Sequence, residues 1–337
     1  MKTILTGVRV NSDLHLGHFL GVILPLTRLA NKHSKDYNVN IFIPDLHTII
    51  SEIDGTIKEN TLLSIKYYLA AGLELNNNIH FYRQSYIPAH SEMTWLLNCI
   101  ATVGELKRMT QYKDKSAGKD SVNAGIFDYP VLMVSDILLY DATYVPVGED
   151  QFQHLELARN LALRVNHKFN QDIFTVPANT SDQMKFMGNT DGVRIRSLTN
   201  PEKKMSKSDP ADNSKILLSE SPKAAQKKIM SATTDSLGEI NFDFKTQPGI
   251  SNLLQINALL EDKPLDEMIK TWQGNTRYGD LKKSVAKNVQ DILADFQAKV
   301  TSIPDETVLE LLKSGESYAR PLAETKLLRL QSAFGLR

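Results

Sequence analysis

Short apolar runs alternate with longer amphipathic ones through the first half of the chain. Lys2 to Thr6 reads as a short strand, and Asn11, Ser12 and Asp13 offer capping side chains just before a helical run from about Leu14 to Leu29. A buried strand follows at Val39 to Ile43, and helical spacing resumes from about Thr56 to Ala71. Ile79 to Tyr82 then reads as a strand and Ser91 to Ile100 as a helix. A helix opened by Pro130 and running to about Tyr140, a short strand near Tyr144 to Val147 and a long helix from about Glu149 to Val165 continue the series. Alternation of this kind predicts an α/β fold, a parallel sheet with helices on both faces. Past Pro210 the strand signal fades, and helical stretches dominate at Pro222 to Met230, Ile250 to Leu260, Lys282 to Val300 and Glu306 to Leu312. The organisation expected is therefore a catalytic-type α/β domain over 1–210 and a C-terminal helical domain over 211–337.

Composition narrows the class. With 337 residues, 42% hydrophobic and 23% charged, the chain can bury a substantial core, enough for one large domain and a smaller one. No apolar run approaches the roughly 18 residues of a membrane span, and the start turns polar too soon for a signal sequence, so a cytoplasmic location is expected. A single cysteine, Cys99, rules out an internal disulfide and a multi-cysteine zinc site. The 39 basic and 39 acidic side chains cancel, so any nucleic acid must be held by a local basic surface. No internal repeat or low-complexity tract is present.

Two clusters carry candidate chemistry. His15-Leu16-Gly17-His18 stands at a helix start directly after the first strand. Backbone N–H groups there attract phosphate, two imidazoles one turn apart can donate to the same anion, and Gly17 permits close approach. Taken alone, two histidines three apart fit an ordinary surface or core role as well, and no carboxylate or cysteine stands nearby at metal-ligand spacing. The second cluster is Lys204-Met205-Ser206-Lys207-Ser208, followed by Asp209-Pro210. Two lysines with small serines between them suit a loop that closes over a polyphosphate, though a solvated charged loop has the same composition.

The pairing of the two clusters, one near the N-terminus and one about two-thirds along an alternating α/β chain, resembles the signature pair of class I aminoacyl-tRNA synthetases. Further stretches resemble the tryptophan-specific branch of that family. They are Gly104-Glu105-Leu106-Lys107-Arg108-Met109-Thr110-Gln111 with Lys115 to Lys119, the run Tyr129 to Tyr140, Val145 to Gln151, and His154-Leu155-Glu156-Leu157. The resemblance implies a Rossmann-like catalytic domain with an insertion at about 52–123 used for dimerisation, and a C-terminal domain that reads the anticodon. It also implies the reaction: L-tryptophan is activated by ATP to the adenylate with release of pyrophosphate, then passed to the 3′-terminal ribose of tRNA(Trp). The partners would be tRNA(Trp), L-tryptophan, ATP and a second copy of the chain, with Mg²⁺ bound mainly through ATP.

Spacing already places Tyr129, Met133, Asp136 and Tyr140 on one helix face, a lone acid among apolar groups that needs a partner, which could be an arginine or a lysine. The resemblance instead makes Asp136 the acceptor of the indole N–H, with Met133 against the ring, Tyr129 and Gln151 on the substrate ammonium, and Leu5, Gly7 and His47 around the pocket. It assigns His15, His18 and Gly17 to the ATP phosphates, Lys204 and Lys207 to the charge that develops on them, and Met205, Ser206 and Ser208 to the same loop. Lys115, Gly148, Asp150 and Arg9 complete the nucleotide side.

Departures from the family pattern are few. Arg9, Val10 and Asn11 stand where glutamine, proline and serine are common, the stretch Thr180 to Asp191 is longer than usual, and Arg196 replaces an apolar residue. Two other functions remain open to the sequence: a tyrosine-specific synthetase, and a relative that binds RNA without catalysis.

Overall fold

The structure is a computed structural model that describes residues 1–8, 14–50, 55–116, 118, 121–188 and 193–337. In chain order the elements of the first half are β1 (Lys2–Gly7), α1 (Leu16–His18), a π-helical turn (Phe19–Ile23), α2 (Leu24–His33), β2 (Tyr37–Ile43), α3 (Asp45–Thr48), α4 (Ile57–Ala70), β3 (Ile79–Arg83), α5 (Ala89–Asn98), α6 (Val103–Arg108) and α7 (Thr110–Ser116). Next come α8 (Ala124–Leu138), β4 (Ala142–Tyr144), α9 (Phe152–Phe169) and α10 (Thr180–Met187). The remainder is helical: α11 (Pro222–Met230), α12 (Pro248–Leu260), α13 (Leu265–Trp272), α14 (Tyr278–Ser302) and α15 (Asp305–Ala333).

The four strands form one parallel sheet in the order β3-β2-β1-β4. Because side chains alternate along a strand, one set of residues (Ile4, Val39, Ile41, Ile43, Phe81) faces one core while the intervening Leu5, Phe42 and Tyr82 face another. Leu20, Ile65, Ile229, Leu254 and Val289 cover the first face, and Met93, Leu97, Val134, Leu138 and Leu161 cover the second. Burial on both faces explains the apolar runs Ile4-Leu5 of β1 and Ile41-Phe42-Ile43 of β2, where neighbouring residues are apolar on both faces. The chain builds outward from β1 through β2 to β3 and then returns to place β4 on the other side of β1, so the direction of winding reverses beside β1. Open sheets of this kind bind ligands at the carboxyl ends of the strands where that reversal occurs.

Several expectations need correction. The helix expected to open at Pro130 begins at Ala124, because the Asn123 side chain accepts the Ile126 N–H at 3.0 Å and caps it, leaving Pro130 buried inside. The proline forfeits one hydrogen bond, which the packing of α8 against α5 and α9 offsets. The expected strand near Tyr144 to Val147 is shifted earlier, to Ala142–Tyr144. The stretch 52–123 is not a single insertion, since α4 and β3 belong to the sheet and its cover, and only the portion after β3 lies outside the strands. The last helix runs to Ala333, far past Leu312, because its second half is dense in charge and hides the apolar spacing.

That second half changes the meaning of the C-terminal region. Val308 and Leu312 of α15 lie in the first core, whereas Ala319, Ala323, Leu327 and Leu330 lie in the second. The helix therefore passes around the open edge of β3 and covers the unpaired backbone that an edge strand presents. At the crossing, Glu316 takes a bidentate ion pair from Arg83 (Nε 2.6 Å, Nη2 3.0 Å), and Tyr318 stacks on His80 with centroids 3.4 Å apart. Gly315 makes the approach possible: a Cβ there would lie 1.9 Å from the Phe81 carbonyl oxygen.

Gly315→Ala is expected to destabilise the protein. Alanine gains about 1 kcal/mol in helix propensity, but separating helix and strand should cost more, for a net loss of about 2–3 kcal/mol. The control is Gly279→Ala in α14, where an added Cβ meets nothing within 4 Å. Urea midpoints read both variants, and equal midpoints would show that α15 does not clamp β3.

Candidate active site

At the carboxyl ends of β1 and β2 and beside the chain leaving β4, a cavity of about 710 Å³ opens between the sheet and α8. Its walls include Leu5 and Gly7 from β1, Phe42 and Pro44 from the end of β2, His47 from α3, and Tyr129, Met133, Asp136 and Ile137 from α8. Val145, Val147, Asp150 and Gln151 close the far side. All seven residues assigned from sequence to the amino-acid substrate thus line one cavity, together with Asp150. The helix face inferred from spacing is present, although Tyr140 at its end is buried behind the cavity rather than in its wall.

Asp136 is 1% exposed, and its partners are neither arginine nor lysine. His47 Nε2 lies 2.9 Å from Oδ2, and Gln84 Nε2 and His90 Nδ1 both lie 2.6 Å from Oδ1. Burial by itself would raise the carboxyl, but the hydrogen bonds of His47 and then His90 outweigh it and hold the group below the ordinary aspartate range. The cavity therefore presents an ionised acceptor among Leu5, Met133, Ile137, Val145 and Val147. An N–H donor on a flat apolar ligand is the chemical complement of such a wall.

The opposite corner has a different character. The Tyr129 phenol is pushed up to about 12, first by burial and then by the charge of Asp150. Gln151 donates its amide to Asp150 at 2.6 Å, which leaves the amide oxygen as an acceptor, and Tyr129 shares a 3.2 Å hydrogen bond with His154. Negative potential and oxygen acceptors gathered here suit an ammonium group. Gly148 stands just before, where its missing Cβ avoids a 2.8 Å approach to Asp150 Oδ1.

The two signature clusters are not among the residues that line this cavity; they lie beside each other. Leu16 N–H donates to Ile216 C=O and Leu218 N–H to Leu14 C=O, both at 2.8 Å, so the start of the first helix is tied to the strand-like segment after the lysine loop. The loop itself is pinned by its methionine. Met205 is 1% exposed, in the core, and its N–H donates to Ile195 C=O at 3.0 Å. Its side chain thus anchors the loop, while Lys204, Lys207 and Ser208 are exposed and Ser206 Oγ pairs with Ser208 Oγ at 3.0 Å. Lys215 is buried and donates to the Asp209 carbonyl at 2.5 Å, which fixes the loop's far end.

His15 is 2% exposed and packs against His18, with ring centroids 4.0 Å apart and planes tilted by 43°. Burial first, then the charges of His18, Lys204 and Lys215, push its pKa down to about 3. At neutral pH it is an uncharged imidazole held near a loop lysine. The absent Cβ of Gly17 is what makes room for it, since an added one would strike the His15 ring at 2.9 Å. Arg196, the departure in this region, lies over the Phe244 ring at 4.1 Å and donates to the Pro201 carbonyl at 3.0 Å, bracing the turn that leads into the loop. Arg9 and the side chain of Lys115 lie outside the described residues, as do 189–192 of the longer segment, whose earlier part forms α10 with Asn179 as its cap.

Sequence reasoning missed Gln84 and His90, both 0% exposed. His90 shares a face of α5 with Thr94 and Leu97, and a histidine on a buried face signals a partner without saying which. Among the described residues, no group of three or more His, Cys, Asp or Glu side chains is placed to hold a metal ion, and no helix is long and apolar enough to cross a membrane.

Comparison with known proteins identifies the family and the fold. Residues 1–294 match the family model of class I tRNA synthetases for tryptophan and tyrosine. A tryptophan--tRNA ligase of Caldanaerobacter subterraneus subsp. tengcongensis is 42% identical over 337 residues, covering 100% of this chain and 99% of that protein. The crystal structure of a tryptophanyl-tRNA synthetase from Mycoplasma pneumoniae superposes with a TM-score of 0.82 at 35% identity, covering 100% of this chain and 98% of that one. The Campylobacter jejuni tryptophanyl-tRNA synthetase, solved in complex with ADP and tryptophan, gives 0.79 at 30% identity over 99% of this chain and 100% of its own.

The state of His15 yields a pH test. Between about pH 6.5 and 3 the unfolded chain binds a proton at this position that the folded protein refuses, so stability falls as pH drops through that window. His15→Gln should remove this increment, and its urea midpoint should fall less than the parent's between pH 6.5 and 4. Parallel curves would show that His15 is not held neutral.

Proposed function

Because the chain belongs to the class I tRNA synthetases for tryptophan and tyrosine, we propose that its cavity binds L-tryptophan and activates it with ATP. The product adenylate then passes its tryptophan to the 3′-terminal ribose of tRNA(Trp). One observation carries the choice of amino acid: Asp136, buried and held ionised, is the acceptor in an otherwise apolar wall wide enough for an indole. The relative that is 42% identical over the whole chain carries the same specificity in its name, which supports tryptophan over tyrosine.

The roles follow from what the reaction requires. The substrate carboxylate is the nucleophile on the α-phosphate of ATP, so the protein positions reactants and balances charge, with no covalent intermediate. Asp136 accepts the indole N–H, Met133 packs on the ring, and Leu5 and Gly7 form the floor. His47, which shares Oδ2 with the incoming N–H, borders the indole end of the pocket. Tyr129 and Gln151, under the charge of Asp150, hold the ammonium. His15 and His18, at a helix start, donate to the ATP phosphates; the neutral state of His15 makes it a directional donor. Lys204, Lys207 and the serines around them close on the pyrophosphate, and Lys115, Arg9 and Gly148 complete the nucleotide side. Magnesium arrives with the nucleotide as part of the substrate.

Residues 1–210 supply this chemistry, and the helices of 211–337 read the anticodon. The working unit is a homodimer in the cytoplasm. Support for a partner surface comes from Trp95 of α5 and Val103 of α6, which are 69% and 59% exposed within the stretch 52–123.

Exchange of labelled pyrophosphate into ATP should depend on L-tryptophan, with tyrosine at least about 100-fold poorer, as expected when a site reads a polar hydrogen. Exchange supported equally by tyrosine, or by neither, would overturn the reading. Lys207→Ala should slow adenylate formation by about 100-fold or more with little change in tryptophan affinity. Unaltered single-turnover adenylate formation would remove Lys207 from the mechanism.

A further inference from the structure

The carboxylate of Asp136 is not symmetrical. Oδ1 receives two donors, Gln84 Nε2 and His90 Nδ1, each at 2.6 Å, whereas Oδ2 receives His47 Nε2 at 2.9 Å. Gln84 and His90 are both 0% exposed, while the His47 side chain, at 20%, borders the cavity. The oxygen with a lone pair to spare is therefore Oδ2. Behind the carboxylate the chain of contacts continues, because His90 Nε2 lies 2.9 Å from the Tyr140 hydroxyl. The His90 ring packs against the stacked pair of Phe42 and Tyr82, whose centroids each lie 6.4 Å from its own.

We propose that His90 and Tyr140 are positioning residues for substrate selection. They form a buried relay, Tyr140 O–H to His90 Nε2 and His90 Nδ1–H to Asp136 Oδ1, that saturates one carboxylate oxygen and turns the other toward the indole N–H. The inference rests on the tryptophan reading and adds to it the residues that orient the acceptor.

The direction of the relay follows from hydrogen-bond capacity. An ionised carboxylate only accepts, so the nitrogen facing it must carry hydrogen; in a neutral ring the other nitrogen then needs a donor. Tyr140 is 5% exposed, and burial pushes its phenol well up, so it keeps its proton and can supply that donor. If the hydroxyl is removed, Nε2 is left buried with no donor. The other tautomer would then set a bare lone pair 2.6 Å from a carboxylate oxygen. Both outcomes loosen the hold on Oδ1. An Asp136 free to turn offers either oxygen to the cavity, and the reading of a single N–H in one direction is blurred.

The test compares tryptophan with 3-(3-benzothienyl)alanine, in which sulfur replaces the indole N–H with little change of shape. The readout is the ratio of kcat/KM for the two amino acids in pyrophosphate–ATP exchange. The parent ratio should fall about 10-fold in Tyr140→Phe and about 100-fold in His90→Ala, with the KM for ATP unchanged. His90→Asn, whose amide N–H can stand where Nδ1–H stood, should keep the ratio within about 3-fold of the parent. A merely structural role would slow both substrates equally and leave the ratio fixed, so an unchanged ratio in Tyr140→Phe and His90→Ala overturns the relay. A parent that uses both amino acids equally overturns the reading of the N–H by Asp136, and the relay with it. A parent that activates neither overturns the functional reading itself.

Discussion

A single carboxylate, taken out of water and kept ionised, sets the terms for the rest of the site. Stripping a charge of its hydration is expensive unless its lone pairs are refilled, and here the donors come from α3, from the turn after β3, and from α5. Each must reach the same place on α8. The ends of two strands and two helices are therefore registered against one another by the need to satisfy Asp136, and the cavity beside it inherits that rigidity. Asp45 acts in the same way one step further out, accepting from the Ser85 N–H at 2.8 Å and so holding the start of α3 to the turn that carries Gln84.

The division of labour between the two clusters follows from sheet topology. Winding that reverses beside β1 leaves a crevice at its carboxyl end, and the cavity occupies that crevice. The signature segments sit apart from it, clamped to each other by backbone pairing between 14–16 and 216–218, with Met205 sunk into the core beneath. A loop with one anchored residue and charged neighbours in solvent can shift its lysines without unfolding its base. Arg196 and Lys215 hold the two ends of that base, and neither contributes to the cavity wall.

Much of this was legible in the chain before any coordinates. Apolar runs gave the positions of all four strands to within a few residues, and the spacing of Tyr129, Met133 and Asp136 put them on one face of a helix that does line the cavity. What escaped was non-local. Gln84 and His90 are 52 and 46 residues from Asp136, and nothing in their immediate neighbours says which buried charge they serve. Pro130 misled for a local reason: proline at a helix start is common, and the cap that starts this helix, Asn123, lies seven residues earlier. Met205 hid a second part, because a residue inside a charged motif reads as part of its chemistry, and only packing shows that its side chain anchors the loop in the core. The second half of α15 hid behind its own charges, several of which turned out to be spent on carbonyls of distant loops, as with Lys326 on Ile173 and Arg329 on Asp172.

The passage of α15 around β3 has a consequence for how the chain comes to be folded as it is made. Glu316 lies 233 residues beyond the Arg83 it pairs with, so until that later stretch has been made the strand has a partner on one side only. Its outward N–H and C=O groups are available during that time to any extended segment, including the β3 of another nascent copy. The helix that finally covers them is made long after the strand, and Gly315 must then fit against a strand already in place. Crowded synthesis on one message is therefore a circumstance that exposes this architecture to mispairing.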